Sequence, residues 1–126
     1  MSTSFQTPTV EQTAWRQEQD ARERNERAYR VTVDIKDLPS QHVAVEATAT
    51  AVLVAATDMN VIADWLFVMG GTATTVDLPC GQTVWTLRTK TWTDSPVRFP
   101  AVPVFVSVTQ ASDAPVMHEI AAAVTR

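Results

Sequence analysis

The stretch from Asp58 to Gly71 leaves a folding chain few choices. Val61, Trp65 and Met69 recur every four residues with Ile62 and Leu66 beside them, which gathers the apolar side chains on one side of a helix. Asp58 can accept the free amides of a first turn, and Gly70-Gly71 can adopt the left-handed backbone that ends a helix. Only Asp58, Asn60 and Asp64 are polar here, so the pattern predicts a central helix that is largely buried against another layer. The apolar run from Val52 to Met69 is also long enough to raise a membrane-spanning alternative. Asp58, Asn60 and Asp64 interrupt it, and each aspartate near a bilayer centre costs about 2.5–3.5 kcal/mol. The run reads as core.

That layer must be supplied by the segments around it. Val31, Val33 and Ile35 alternate with Arg30, Thr32 and Asp34, which predicts a half-buried strand from Tyr29, closed by Asp37-Leu38-Pro39-Ser40. From His42 to Thr57, Val and Ala alternate with Thr and Glu, which predicts one long, bent strand. The many alanines, with Ser40 as a cap, leave a helix there as an open alternative. Thr72–Leu78 and Thr83–Trp92 read as a hairpin around Pro79-Cys80-Gly81-Gln82. Pro96, Pro100 and Pro103 mark an irregular connection into a last strand carrying Val102, Val104, Val106 and Val108. Ser112 or Asp113 should cap a final helix with Val116, Ile120 and Val124 on its buried side and Arg126 complementing its dipole.

Ahead of all this lies a different kind of sequence. Residues 1 to 9 are rich in Ser and Thr and read as a disordered tail. Val10 to Ala28 contains strong helix formers and no Gly or Pro, with Thr9 and Gln12 placed for a capping box. Opposite charges fall four apart at Glu18/Arg22, Asp20/Arg24, Glu23/Arg27 and Arg22/Glu26. The only large apolar side chain inside this helix is Trp15, too little to seat it on a core. The expected architecture is α+β: a mostly antiparallel sheet of about five strands, a buried central helix, a C-terminal helix and a charged N-terminal helical arm. Residues 1–28 form the tail and arm, and residues 29–126 a single domain. A chain of 126 residues suits one core.

Chemistry is harder to find in these residues. A net charge of −4 disfavours a protein whose main work is neutralising phosphates. One cysteine, Cys80, excludes an internal disulfide, and the first residues carry no secretory pattern, so a cytoplasmic protein is expected. His42, His118 and Cys80 lack the short spacings of a metal site, and no cofactor-binding motif is present. Asp64, Cys80 and His118 could serve an enzyme only if the fold brought them into one pocket.

Three readings follow. The first is a non-catalytic interaction or accessory protein that presents the arm to a protein partner or to itself as a homo-oligomer. Trp15, Arg16, Arg22, Arg24 and Arg27 would make the contact, since aromatic and Arg side chains dominate binding hot spots. The second is a regulatory nucleic-acid-binding protein using Arg88, Lys90 and Trp92, on one face of a strand, with Arg98 nearby. The third is a small enzyme without a local motif.

Overall fold

The computed structural model of the chain describes residues 9–124, so the expected tail up to Pro8 and the role given to Arg126 fall outside the described residues. The elements are α1 (Val10–Lys36), β1 (Val43–Ala47), β2 (Val52–Ala56), α2 (Met59–Met69), β3 (Thr72–Leu78), β4 (Gln82–Lys90), β5 (Pro103–Ala111) and α3 (His118–Ala122). The strands form one sheet in the order β1-β2-β5-β4-β3, antiparallel except for the β2–β5 pair. This is an α+β fold with a mostly antiparallel five-stranded sheet.

Thr9 starts α1 with the expected reciprocal bonds. Its hydroxyl accepts the Gln12 amide at 3.1 Å, and the Gln12 side chain accepts the Thr9 amide at 3.0 Å. The helix then runs on through Tyr29–Ile35, where alternation predicts a strand. Those residues also satisfy a helical period, because Asn25, Tyr29, Thr32 and Val33 fall on one side and are buried. Tyr29 stacks on Trp65 of α2 with ring centroids 5.9 Å apart. Extending an existing helix adds one hydrogen bond per residue fixed. The β-branched residues cost at most about 0.7 kcal/mol each, and burial of Tyr29 and Val33 outweighs that. Val31 and Ile35, which a strand would have buried beside Val33, are left exposed.

The segment 42–57 is two antiparallel strands and not one bent strand, with Val43 opposite Ala56 and Ala47 opposite Val52. Thr48 makes the turn without Gly or Pro. Its hydroxyl accepts the Thr50 and Ala51 amides at 3.3 and 3.0 Å, and its own amide donates to the Ala51 carbonyl at 2.8 Å. One strand lost at Tyr29–Ile35 and one gained here keep the total at five.

α2 begins at Asp58, which accepts the Asn60 amide at 2.9 Å, and stops at Gly70. Met59, Val61, Ile62 and Trp65 are buried, but the helix also has an outward side bearing Asn60, Asp64, Val68 and Phe67, the last 91% exposed. Gly71 follows at φ 127°, where a Cβ would overlap the Arg88 carbonyl oxygen. The β3–β4 hairpin closes through Pro79-Cys80-Gly81, with Leu78 opposite Gln82 and Gly81 left-handed at φ 76°.

The final helix is shorter than the sequence suggests. Ser112 and Asp113 do not cap it, since the Ser112 hydroxyl lies 2.8 Å from that of Thr83 and its amide donates to the Gly81 carbonyl. α3 starts only after Met117, without a side-chain cap, and Ile120 enters the core. Beyond it the chain runs beside β3, where the Ala73 amide donates to the Ala123 carbonyl at 2.8 Å.

α1 lies over β1 and β2, α2 over β4 and β5, and α3 beside α2. Val52, Val54, Leu87, Val104, Val106 and Val108 of the sheet meet Tyr29, Val33, Ile62, Trp65 and Ile120 in one core. All three helices therefore cover the same face of the sheet, and no described helix covers the other. The apolar run from Val52 to Met69 is divided between β2 and α2, and no described helix is long and apolar enough to cross a membrane.

Candidate functional site

The two parts of α1 differ sharply in their surroundings. From Asn25 onward the helix is tied down: the Asn25 side-chain amide donates to the Thr48 carbonyl at 2.8 Å. The Thr32 hydroxyl accepts the Trp92 amide at 2.9 Å and donates to the Ala28 carbonyl at 2.8 Å. Residues 10–24 are exposed apart from half-buried Gln19 and Ala21. At 1.5 Å per residue this stretch reaches about 22 Å. Trp15 is 64% exposed. It lies fourteen residues before Tyr29, close to four helical turns, and so shares the side that further along faces the core. Arg16 beside it is exposed, whereas Arg22 is held by Glu18 at 2.7 Å. Glu26 pairs with Arg30 and not with Arg22.

Arg24 and Arg27 make no ion pair among the described residues, although Asp20 and Glu23 stand at the expected spacing. Both line a groove of about 740 Å³ between α1, the β1–β2 turn and the connection from β4 to β5. Val31 and Ala28 continue its α1 wall, and Thr50 belongs to the turn. Across from them stand Trp92, Arg98 and Phe99, with Asp94 the only carboxylate in the lining. The Arg98 guanidinium sits over the Phe99 ring at 5.5 Å. Thr91 holds this wall in place, because its hydroxyl accepts the Val102 amide at 2.9 Å and its own amide donates to the Val102 carbonyl at 3.0 Å. Thr93 adds a bond to the Phe99 carbonyl at 2.7 Å. Three guanidinium groups, two aromatic rings and a single acid suit an anionic or aromatic occupant.

The structure thus regroups the candidate residues. Arg24 and Arg27 of the arm meet Trp92 and Arg98. Arg88 and Lys90 are exposed on β4 and line a separate depression of about 650 Å³ with Met69, Gly71 and Thr72. The expected face of Arg88, Lys90 and Trp92 is therefore broken, because β4 ends at Lys90 and the Thr32 hydroxyl captures the Trp92 backbone. Arg88 lies over Phe105 at 6.0 Å. Phe99, Val31 and Thr32 were not apparent as site residues in the sequence. An aromatic beside Arg98 in a proline-rich connection was the one available signal for Phe99.

The candidates for catalysis lie on separate elements. Asp64 is exposed on α2, Cys80 in the β3–β4 loop, His118 at the start of α3 and His42 before β1. None lines either groove, and the described residues contain no group of three or more His, Cys, Asp or Glu that could hold a metal. The Tyr29 hydroxyl and the Trp65 indole nitrogen are buried without hydrogen-bond partners. Burial pushes the Tyr29 phenol above its ordinary value of 10.0. No known family model, curated protein or solved structure matches the chain.

Proposed function

We propose that the protein is a non-catalytic interaction protein that presents the exposed half of α1 to another protein chain, a partner or a second copy of itself. One observation supports this reading: the helix is anchored from Asn25 onward, while residues 10–24 are exposed apart from half-buried Gln19 and Ala21, with Trp15 64% exposed. A helix already formed loses less conformational freedom on binding than a disordered segment. Trp15 is the anchor and Arg16 its neighbour, while Arg24 and Arg27 extend the contact into the groove. Arg22 contributes less, being engaged with Glu18. The cytoplasm suits such a role for a chain with a single cysteine.

The test compares the full chain with Trp15→Ala, either as bait in extracts of the source cells or in self-association. Proteins retained by the native chain, or its own dimer, are expected to be lost while the melting temperature is unchanged. An identical capture profile and an identical oligomeric state in the two chains would refute the reading.

A second reading has its own support in the groove, where Arg24, Arg27 and Arg98 line the same walls as Trp92 and Phe99. A single-stranded nucleic acid would lay phosphates on the guanidinium groups and stack a base on an aromatic ring. Binding would fall steeply with salt. Fluorescence anisotropy of a labelled oligonucleotide at low salt decides it. Arg98→Glu should abolish the signal and Arg88→Glu leave most of it, and a chain that never shifts the anisotropy excludes the idea.

A further inference from the structure

The helix-free face of the sheet carries a pattern that neither α1 nor the groove explains. Glu46 pairs with Leu53, Leu53 with Phe105, and Phe105 with Arg88, so these four lie in one row across β1, β2, β5 and β4. Read across the sheet, the row is acid, apolar, apolar, base. Glu46, Leu53 and Arg88 are exposed and Phe105 is half-buried. The next row is Ala44, Ala55, Ser107 and Thr86, all small. Further along, Thr109, Val84 and Val76 extend the face, and Val76 is 60% exposed.

We infer that this face is the contact between two copies of the chain, packed sheet to sheet about a two-fold axis that runs along the strands between β2 and β5. Such an axis exchanges the first member of the row with the fourth and the second with the third. Leu53 then meets the second copy's Phe105, and Glu46 meets the second copy's Arg88. The same operation sets Ala44 against Thr86 and Ala55 against Ser107, small residues that let two sheets approach to the usual ~10 Å. A two-fold contact must be complementary to itself, and charges of opposite sign at equal distances from the axis meet that condition. The strands are ~4.8 Å apart, and β1 and β2, five residues each, limit the overlap of the four facing strands to roughly 17 Å, which gives on the order of 330 Å² per copy. The total of roughly 650 Å² places the contact in the weak, reversible class, so the facing charges and not its area single out a second copy as the occupant. Both helical layers face outward in this arrangement, so each dimer would display two copies of α1 and bind a repeated partner with avidity.

Sedimentation of the full chain over a range of concentrations tests the contact. The native chain is expected to dimerise. Arg88→Glu alone and Glu46→Arg alone each set like charges together and should weaken the dimer on the order of tenfold or more. The combined Glu46→Arg/Arg88→Glu chain re-forms both pairs with the signs exchanged and should dimerise again, which also guards against a single variant that merely misfolds. A chain that stays monomeric throughout overturns the inference, and so does a dimer indifferent to either single reversal or one the combined change fails to restore. Self-association that responds to Trp15→Ala but not to Arg88→Glu runs through α1 and overturns this contact while leaving the reading of the arm standing.

Discussion

Residues 10–24 and 25–36 belong to one helix, yet different forces hold them. The first part is stabilised by local features: the Thr9–Gln12 capping box, the Glu18–Arg22 pair and good helix formers. The second contains Val31, Thr32, Val33 and Ile35, which locally favour a strand, and is helical because Tyr29, Thr32 and Val33 are buried by the rest of the chain. Local propensity decides where nothing packs, and packing overrides it where a stripe can be buried. The part held by local features is also the mostly exposed part, apart from half-buried Gln19 and Ala21.

The sharpest way to break this comparison is to remove the partner of the anchored half. Trp65→Ala deletes a fully buried indole beneath Tyr29 and should cost about 3–5 kcal/mol, read by denaturant unfolding. A loss below about 1 kcal/mol would mean that the Tyr29–Trp65 stack does not hold α1 down. Thr32→Val comes next. It keeps the shape but leaves the half-buried Trp92 amide without its acceptor, at a cost of about 1–2 kcal/mol, and should speed amide exchange in the segment after β4.

Tyr29 gives a smaller effect with a distinctive pH dependence. Its pKa is raised in the folded chain, so its contribution to stability is constant below pH 10 and is lost as pH rises through the folded value. The melting temperature of the native chain should fall more steeply above about pH 10 than that of Tyr29→Phe. At neutral pH the same substitution removes a hydroxyl without a partner and should be neutral or stabilising by up to about 1 kcal/mol. Parallel alkaline curves for the two chains would show that the phenol is not held neutral by burial. Least of all should Thr9→Ala matter to global unfolding. It should fray the first turns by about 0.5–1 kcal/mol, seen in amide exchange of residues 10–14, with no change in the global midpoint. A shift of the midpoint would mean that the exposed half is coupled to the core after all.

Some of the molecule could be read directly from the residues. Thr9 and Gln12, Asp58 and Gly70, and Pro79-Cys80-Gly81 mark their helix and hairpin ends through chemistry confined to a few neighbours. The strand total also came out right, though by compensation: one strand expected over Tyr29–Ile35 is absent, and Thr48 divides 42–57 into two. The last helix was expected too early because Ser112 looks like a cap but bonds instead to Thr83 across the hairpin end. Of the candidate contact residues, Trp15 and Arg16 stand exposed as their surroundings in the chain imply. The meeting of Arg24 and Arg27 with Trp92 and Arg98 joins residues more than sixty positions apart and had no local signal.

The sequence by itself determined a sheet covered by helices and a hydrophilic leading helix, because periodicity and caps act over a turn or a strand. Only the tertiary structure decided that the leading helix continues to Lys36, that β2 and β5 run parallel in the middle of the sheet, and that one face of the sheet is left uncovered. Each of these depends on which distant apolar surfaces find one another. Burial of that kind is a property of the whole chain and leaves no mark at any one position.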